Sequence, residues 1–157
     1  MLKEISGNMF SSSLLKFADV ICITTNGFVK KNGRAVMGAG NAKQARDMFK
    51  DIDLDFGKAL KENGNIVQII RYENLVDKEL PIVSFPVKHN WWEMADLELI
   101  RNSLKQLLIM MIYNDWKKVI LPRLGCSNGK LNWLSEVRPL LEEYLDERVY
   151  VVDRSLN

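Results

Sequence analysis

Short apolar segments rich in β-branched residues recur along the chain at fairly regular distances. Segments of this composition are typical of strands that are buried on both faces of a sheet. They cover residues 19–25, 65–72, 80–87, 117–122 and 148–152, and we expect a further strand near residues 2–6. Pro81 and Pro86 stand near the ends of the third segment, where proline is tolerated in a strand.

Between these strands the apolar positions recur every three or four residues, which indicates helices. The pattern predicts helices over residues 41–49, 53–63, 94–114 and 134–145. Gly64 follows the second of these, at the place where glycine commonly ends a helix. Because strands alternate with helices, the sequence predicts an α/β domain with a mostly parallel sheet.

Composition narrows the class of protein further. A chain of 157 residues has the usual length of one domain, so we expect a single domain over residues 1–157. The hydrophobic content of 47% is sufficient for a core, and the charged content of 27% is ordinary for a soluble protein. A net charge of +2 is too small to argue for nucleic-acid binding by itself.

Several classes of protein are disfavoured by what the sequence contains. Two cysteines, Cys22 and Cys126, do not form the framework of a secreted disulfide-rich domain, so we expect an intracellular, cytoplasmic location. The first residues lack a signal-peptide core, and the longest apolar run, residues 107–113, is too short to span a membrane. One histidine and two distant cysteines argue against structural zinc. We therefore expect no membrane partner, metal or cofactor.

Glycines cluster in two of the loops that follow predicted strands. Gly38 and Gly40 precede one predicted helix, and Gly125 and Gly129 precede another. Glycine lets the backbone approach a ligand closely, and the following helix adds the positive end of its dipole, so two such loops suit a pyrophosphate. Either loop alone is explained as simply by a turn, and neither has the GxGxxG or GK[ST] pattern of known nucleotide motifs.

Five segments in a fixed order resemble one known family. GNMF, ITTNG, VMGAGNAKQA, FPVKHNWW and LPRLGCSNGKLNW together resemble macrodomains, closest to terminal ADP-ribose glycohydrolases and DarG-type antitoxins, which remove ADP-ribose from DNA. The resemblance runs from Gly7 to Trp133 and continues into the final helix and strand. It implies a three-layer α/β/α sandwich around a central mixed, mostly parallel sheet, with ADP-ribose as the ligand.

The resemblance also implies roles for individual residues. Asn8 stands where many macrodomains have an aspartate that accepts a hydrogen bond from adenine, and Asn26 matches an asparagine that faces the distal ribose. Lys88 matches the catalytic lysine of an FPTK-like motif. The residues so predicted to bind the ligand are Asn8, Met9, Asn26, Met37, Gly38, Ala39, Gly40, Leu124, Gly125, Cys126, Ser127, Asn128 and Gly129.

The sequence departs from the family pattern at two loops. Residues 27–35 form a longer and more basic loop than in the nearest relatives. The second glycine loop carries Asn128, where some members have an aspartate that assists the lysine, and there is no acidic residue between Arg123 and Leu134. The second loop therefore lacks a carboxylate that could supply an acid–base step.

Lys88 has two alternative chemical roles and one structural one. In the family the lysine attacks the anomeric carbon or its ring-opened form and proceeds through an imine, which requires the neutral amine. At pH 7 only about one free lysine in 2500 is neutral. Burial beside Phe85, Val87, Trp91 and Trp92 would lower the pKa of Lys88, whereas a bound pyrophosphate would raise it. Alternatively the charged lysine stabilises the departing group, or it is a solvated lysine at a strand end.

Other residues near these loops admit two interpretations each. His89 is either a general acid or base, or a surface or capping histidine, and the second is simpler. Cys126 lacks an adjacent base, so we interpret it as a small packed residue rather than a nucleophile. Trp91 and Trp92 either stack on a nucleic-acid base or form part core, part lid. The basic loop either contacts phosphates or is solvated, and its relevant residues are Phe28, Lys30, Lys31 and Arg34.

Three functions remain open from the sequence. The first is hydrolytic removal of ADP-ribose from a protein carboxylate or a nucleic-acid base, with Lys88 as the catalytic residue. The second is a phosphatase or deacylase of small derivatives such as ADP-ribose 1″-phosphate (Appr-1-p processing) or O-acetyl-ADP-ribose. The third is a non-catalytic ADP-ribose reader or sponge. In each case the partner is ADP-ribose or an ADP-ribosylated protein or nucleic acid, and we expect a monomer.

Overall fold

The computed structural model describes residues 1–126 and 128–154. Its strands are β1 (Lys3–Ser6), β2 (Val20–Thr25), β3 (Gln68–Asn74), β4 (Glu79–Pro86), β5 (Val119–Pro122) and β6 (Val149–Asp153). Its α-helices are α1 (Ser12–Phe17), α2 (Gly40–Met48), α3 (Ile52–Asn63), α4 (Leu97–Asn114) and α5 (Arg138–Tyr144). A π-helical turn, Trp133–Val137, directly precedes α5.

The strands form one sheet in the order β1-β6-β5-β2-β4-β3. All neighbours are parallel except β3 and β4, which confirms the predicted mixed, mostly parallel sheet. The central strand β2 is buried along nearly its whole length, which explains its continuous apolar sequence. Because five strands are mutually parallel, their carboxyl ends meet at one edge of the sheet, where ligands bind in such folds.

Alternate residues of the strands enter two separate cores. In β2, Val20 and Cys22 pack on the side of α4 and α5. Ile21 and Ile23 pack on the opposite side, against α2 and α3. Helices therefore cover both faces, and the expected three-layer α/β/α sandwich is confirmed. Among the described residues, no helix is both long and apolar enough to cross a membrane.

The observed helices differ from the predicted ones at three places. The sequence did not predict α1, which is only six residues long and has no fully buried residue to produce a repeating stripe. Helix α4 begins at Leu97 rather than at residue 94, because Asp96 caps it by accepting the N–H groups of Glu98 and Leu99. Residues 94–95 consequently remain in the preceding loop.

The last predicted helix is divided in two. The π-helical turn comes first, and α5 follows with Pro139 in its first turn. Since Pro139 has no N–H group, the carbonyl of Ser135 cannot receive the usual helical hydrogen bond from it. The end of α3 agrees with the prediction, because Gly64 terminates it with a φ of 86°.

Candidate functional site

Two adjoining cavities lie at the carboxyl edge of the parallel strands. The first, of about 430 Å³, lies between the ends of β2 and β4, the start of α2 and the loop after β5. The second, of about 490 Å³, lies at the ends of β1, β5 and β6. Gly40, Asn41, Arg123 and Cys126 line both cavities. We therefore describe the two cavities as one groove with two halves.

The first glycine loop lies in the middle of the groove. Gly40 has a φ of +56°, a conformation that favours glycine, and it begins α2. Ala39 precedes it as a helix cap without a capping side chain, so the first N–H groups of α2 are left for an anion. A Cβ atom at Gly38 would meet open space. Packing within the protein thus does not explain why residue 38 is glycine.

The second glycine loop is folded tightly on itself. A Cβ atom at Gly129 would lie 2.4 Å from the carbonyl oxygen of Gly125, so only glycine fits there without a shift of the backbone. The N–H group of Leu131 donates to the same oxygen at 3.0 Å, and the N–H group of Ala95 donates to the carbonyl of Gly129 at 3.1 Å. These bonds hold the loop beside the start of α4. Ser127, also a predicted ligand residue, lies outside the described residues.

Lys88 projects into the first half of the groove from the end of β4. Its carbonyl accepts the side-chain N–H of Asn65 at 3.0 Å, which fixes the backbone. The Nζ atom donates to the carbonyls of Trp91 and Asn128, both at 3.4 Å. Burial and the positive charge of Lys130 lower the pKa of Lys88 below its ordinary value. The side chain is thus a partly desolvated amine held by weak, neutral acceptors.

Most of the predicted ligand residues are brought together in the groove. The first half contains Asn26, Met37, Gly38, Ala39, Gly40, Gly125, Cys126, Asn128 and Gly129. Met9 is buried and lines the second half. The amide of Asn26 donates to the carbonyl of Val36 at 3.2 Å and accepts the N–H of Phe28 at 3.0 Å. Asn26 therefore ties together the two ends of the basic loop as well as lining the groove.

Two predicted ligand residues lie outside both halves of the groove. The Oδ1 atom of Asn8 accepts the N–H of Phe10 at 2.9 Å, so the amide oxygen that we expected to face adenine has a local partner. Leu124 has an exposed fraction of 0% and packs in the core on the side of α4 and α5. The side chain of Leu124 is a core element, which leaves its predicted ligand contact without structural support.

Three groove residues were missed by the sequence analysis. Asn41 accepts the N–H of Thr24 at 2.8 Å and donates to its hydroxyl at 2.7 Å, joining α2 to the end of β2. The hydroxyl of Thr25 is buried and has no hydrogen-bond partner among the described residues. Arg123 lines both halves of the groove, and its Nη2 lies 3.1 Å from Asp153 Oδ2. Arg123 directly follows β5, and this position is the feature of the sequence that could have identified it as a groove residue.

Two reactive side chains have structural roles. The Cys126 thiol donates to the carbonyl of Leu124 at 3.1 Å, and burial raises the pKa of Cys126 to about 11, so the thiol stays protonated at neutral pH. His89 Nε2 lies 2.8 Å from Asp96 Oδ2, beside the cap of α4, and His89 lines neither half of the groove. These contacts agree with a packed cysteine and a capping histidine.

Within residues 1–126 and 128–154 no cluster of three or more His, Cys, Asp or Glu is placed to hold a metal ion.

The basic loop contains one arginine that is not free to bind a phosphate. Arg34 Nη1 lies 2.8 Å from Asp53 Oδ1, and Arg34 Nη2 lies 3.0 Å from Asp51 Oδ1. These ion pairs fasten the loop to the start of α3. Lys30 and Lys31 are exposed. Of the three basic residues that we considered for phosphate contact, Arg34 is therefore a structural residue.

Comparison with known proteins supports the resemblance. No family model matches the chain. A protein of Thermus aquaticus named DNA ADP-ribosyl glycohydrolase is 26% identical over 148 residues, which cover 93% of this chain and 38% of that relative. The chain thus spans less than half of the length of this curated relative.

Two solved structures have a similar fold over the whole chain. The macrodomain of Thermus aquaticus DarG is 27% identical, with a TM-score of 0.72 and coverage of 99% of this chain and 98% of that one. Thermosipho africanus DarTG in complex with ADP-ribose is 23% identical, with a TM-score of 0.80 and coverage of 100% of this chain and 43% of that one.

Proposed function

The chain has a macrodomain fold of the DarG type, and from this premise we propose that it binds ADP-ribose and hydrolytically removes it from a modified base in DNA. We also propose that residues 1–157 form a single macrodomain. The proposed function is supported by the groove, whose position and lining agree with the predicted ligand residues, and by the name and fold of the relatives described above.

The shape and charge of the groove suit an extended dinucleotide-like ligand. In the proposed arrangement, the adenosine occupies the second half, beside Met9, and the distal ribose occupies the first half, beside Lys88. The pyrophosphate lies between them, where both halves share the start of α2 and the Arg123 side chain. The helix N-terminus favours an anion at this point, and Arg123 adds positive charge that its ion pair with Asp153 partly neutralises.

The position of Lys88 is the observation that carries the catalytic part of the proposal. Within the part of the chain that the structure describes, its amine has carbonyl partners but no carboxylate partner. The lowered pKa of Lys88 increases the neutral fraction relative to that of an ordinary lysine. A neutral amine attacks the anomeric carbon as the bond from that carbon to the base breaks, and the proton that the amine loses passes to the departing base. The resulting amine adduct has an imine as its ring-opened form. Water then hydrolyses the imine and releases the lysine.

A charged Lys88 would act differently in the same place. The ammonium group would stabilise negative charge on the departing group while water attacks the sugar. In both cases Lys88 touches the reacting atoms, so both make it the catalytic residue. The two cases differ in the direction of the pH dependence of the rate.

The proposal is tested by measuring binding and release separately. ADP-ribose binding is measured by calorimetry, and release is measured from ADP-ribosylated single-stranded DNA and from ADP-ribosylated protein. For Lys88→Met we expect release to fall about 100-fold or more, with the Kd for ADP-ribose within about threefold of the wild type. Lys105→Met is the matched control, because Lys105 is an exposed lysine on α4, outside the groove.

Each other outcome has a defined meaning. Absence of ADP-ribose binding would contradict the whole proposal. Binding without release from either macromolecule would contradict the glycohydrolase, and ADP-ribose 1″-phosphate and O-acetyl-ADP-ribose would then be tested as small substrates. Binding with no turnover of any of these compounds would indicate a non-catalytic ADP-ribose reader.

A further inference from the structure

Three aromatic side chains stand together at the mouth of the first half of the groove. The centroid of the Trp92 ring lies 5.6 Å from the centroid of the Phe28 ring and 5.5 Å from that of the Trp91 ring. Both pairs are close to edge-to-face. Both tryptophans line the groove, yet Trp91 has an exposed fraction of 52% and Trp92 of 59%. We call Phe28, Trp91 and Trp92 the aromatic rim. Nothing among the described residues covers this indole surface, so it is left in contact with water.

Lysines occur in the two segments that adjoin the aromatic rim, in sequence or in the lining of the groove. Lys30 and Lys31 follow Phe28 in the basic loop, and Lys130 lines the groove on its other side. All three lysines are exposed, and among the described residues none of them has an acidic partner. Glu93 is an acidic residue in the same lining. Within this lining the basic residues Lys88, Arg123 and Lys130 outnumber Glu93, so the first half of the groove attracts a polyanion.

Exposed aromatic rings beside unpaired lysines form the combination that binds single-stranded nucleic acid. Bases stack on the rings whatever their sequence, and lysines meet the phosphates between them. A duplex keeps its base faces stacked on each other, whereas a single strand offers them to the protein. A protein chain would offer neither regularly spaced phosphates nor a succession of flat faces.

We propose that the aromatic rim stacks the bases that flank the ADP-ribosylated base of a single-stranded nucleic acid. This inference rests on the proposed function, because the modified base must be attached to the distal ribose beside Lys88. From there the neighbouring nucleotides leave the groove between the rim and Lys130. Trp92 is the central contact, since it touches both other rings.

The decisive measurement compares two substrates that carry the same modified base. One is an ADP-ribosylated single nucleoside, and the other is a single-stranded oligonucleotide of about ten residues. For Trp92→Leu we expect the ratio of kcat/KM on the oligonucleotide to that on the nucleoside to fall about tenfold. Trp92→Phe, which keeps an aromatic face, should retain most of the wild-type ratio. Tyr113→Leu is the control, because Tyr113 has an exposed fraction of 87% at the distant end of α4.

The outcomes separate the inference from the proposed function. No release from either substrate by the wild type would overturn the proposed function. Release from both, with an unchanged ratio in Trp92→Leu, would overturn the inference alone. An equal loss on both substrates would also overturn it, because Trp92 would then only shape the groove.

A binding measurement tests the rim without catalysis. Trp116 and Trp133 are buried, so quenching of tryptophan fluorescence reports mainly on Trp91 and Trp92. With ADP-ribose saturating the groove, an unmodified single-stranded oligonucleotide should quench the fluorescence at low salt, and added salt should weaken the effect. A duplex of the same sequence should quench less. Equal quenching by an acidic peptide of the same charge would overturn the inference, because it would indicate attraction of charge without stacking.

Discussion

The floor and the rim of the groove are built from different parts of the chain. The floor consists of the two glycine loops and the start of α2, and it presents mainly backbone groups, with Gly38 and Gly129 as its clearest elements. The aromatic rim consists of three side chains on loops, and its tryptophans remain about half exposed. Backbone groups recognise a pyrophosphate regardless of what it is attached to, whereas side chains at the mouth meet whatever carries the ADP-ribose.

This difference separates two questions about function. The floor determines which nucleotide is bound. All three functions that the sequence left open require the same nucleotide, ADP-ribose. The rim influences which molecule carries the ADP-ribose, and Lys88 influences whether the ADP-ribose is released. Experiments that change the floor should therefore alter all activities together, and experiments that change the rim should alter only the choice of substrate.

Gly38→Ala should have the largest effect among changes to the floor. In the free protein the added methyl group enters open space, so thermal stability should be unchanged or slightly higher. A pyrophosphate that lies against the backbone would meet the methyl group, and we expect the Kd for ADP-ribose to rise about tenfold or more. Calorimetry and thermal melting measure the two effects on the same sample.

Gly129→Ala provides the contrast for Gly38→Ala. Its methyl group would collide with the carbonyl oxygen of Gly125 without any ligand, so the loop must shift, and stability should fall by about 1–3 kcal/mol along with affinity. An unchanged Kd in Gly38→Ala would contradict the role of the floor. Gly38 would then be a turn glycine.

The sequence predicted the floor better than the rim, and the reason is physical. Buried parallel strands need continuous apolar segments, and close approach to the backbone needs glycine, so β2, β4, Gly38 and Gly129 are visible as patterns. The role of Arg34 was not visible, because its carboxylate partners lie 17 and 19 residues further along the chain. Contacts across such distances depend on the completed fold.

The same limit explains the other differences. Arg123 and Thr25 are single polar residues at strand ends, and their positions in the groove follow from the strand order rather than from local spacing. Leu124 shares its loop with ligand-lining neighbours, but it faces the core. A sequence motif does not show that the side chain of one loop residue faces the core while those of its neighbours face the groove.

Lys130→Met tests the place where the aromatic rim meets Lys88, the proposed catalytic residue. After burial, the charge of Lys130 is the second cause of the lowered pKa of Lys88, so removing it should raise that pKa. Lys130 has a φ of +64°, and methionine keeps the same backbone cost, which makes the substitution mainly a removal of charge. The midpoint of the pH dependence of kcat should move to higher pH, with only a few-fold change in the maximal rate.

The direction of the pH dependence distinguishes the two roles of Lys88. If the neutral amine reacts, the rate rises as pH increases through the pKa of Lys88, and Lys130→Met is slower at neutral pH. If the ammonium group acts, the rate falls as pH increases through that pKa, and Lys130→Met stays active to higher pH. Lys105→Met should leave the midpoint in place. A midpoint that does not move in Lys130→Met would assign the titration to another group.

His89→Ala should have the smallest effect, although His89 is adjacent to Lys88 in the sequence. His89 contacts the cap of α4 and lines neither half of the groove, so release should stay within about twofold of the wild type. Its hydrogen bond is the main cause of the lowered pKa of Asp96. A carboxylate with a lowered pKa contributes stability that is lost as pH falls through that pKa, so His89→Ala should begin to unfold at slightly higher pH.

Solvent screening limits this loss of stability, because the side chains of His89 and Asp96 are 56% and 41% exposed. We expect a loss of at most about 0.5 kcal/mol at neutral pH, since Asp96 still accepts the N–H groups of Glu98 and Leu99. Acid unfolding followed by circular dichroism measures the loss. A large loss of release without a loss of stability would instead make His89 a general acid or base. The catalytic part of the groove would then extend beyond Lys88 toward the start of α4.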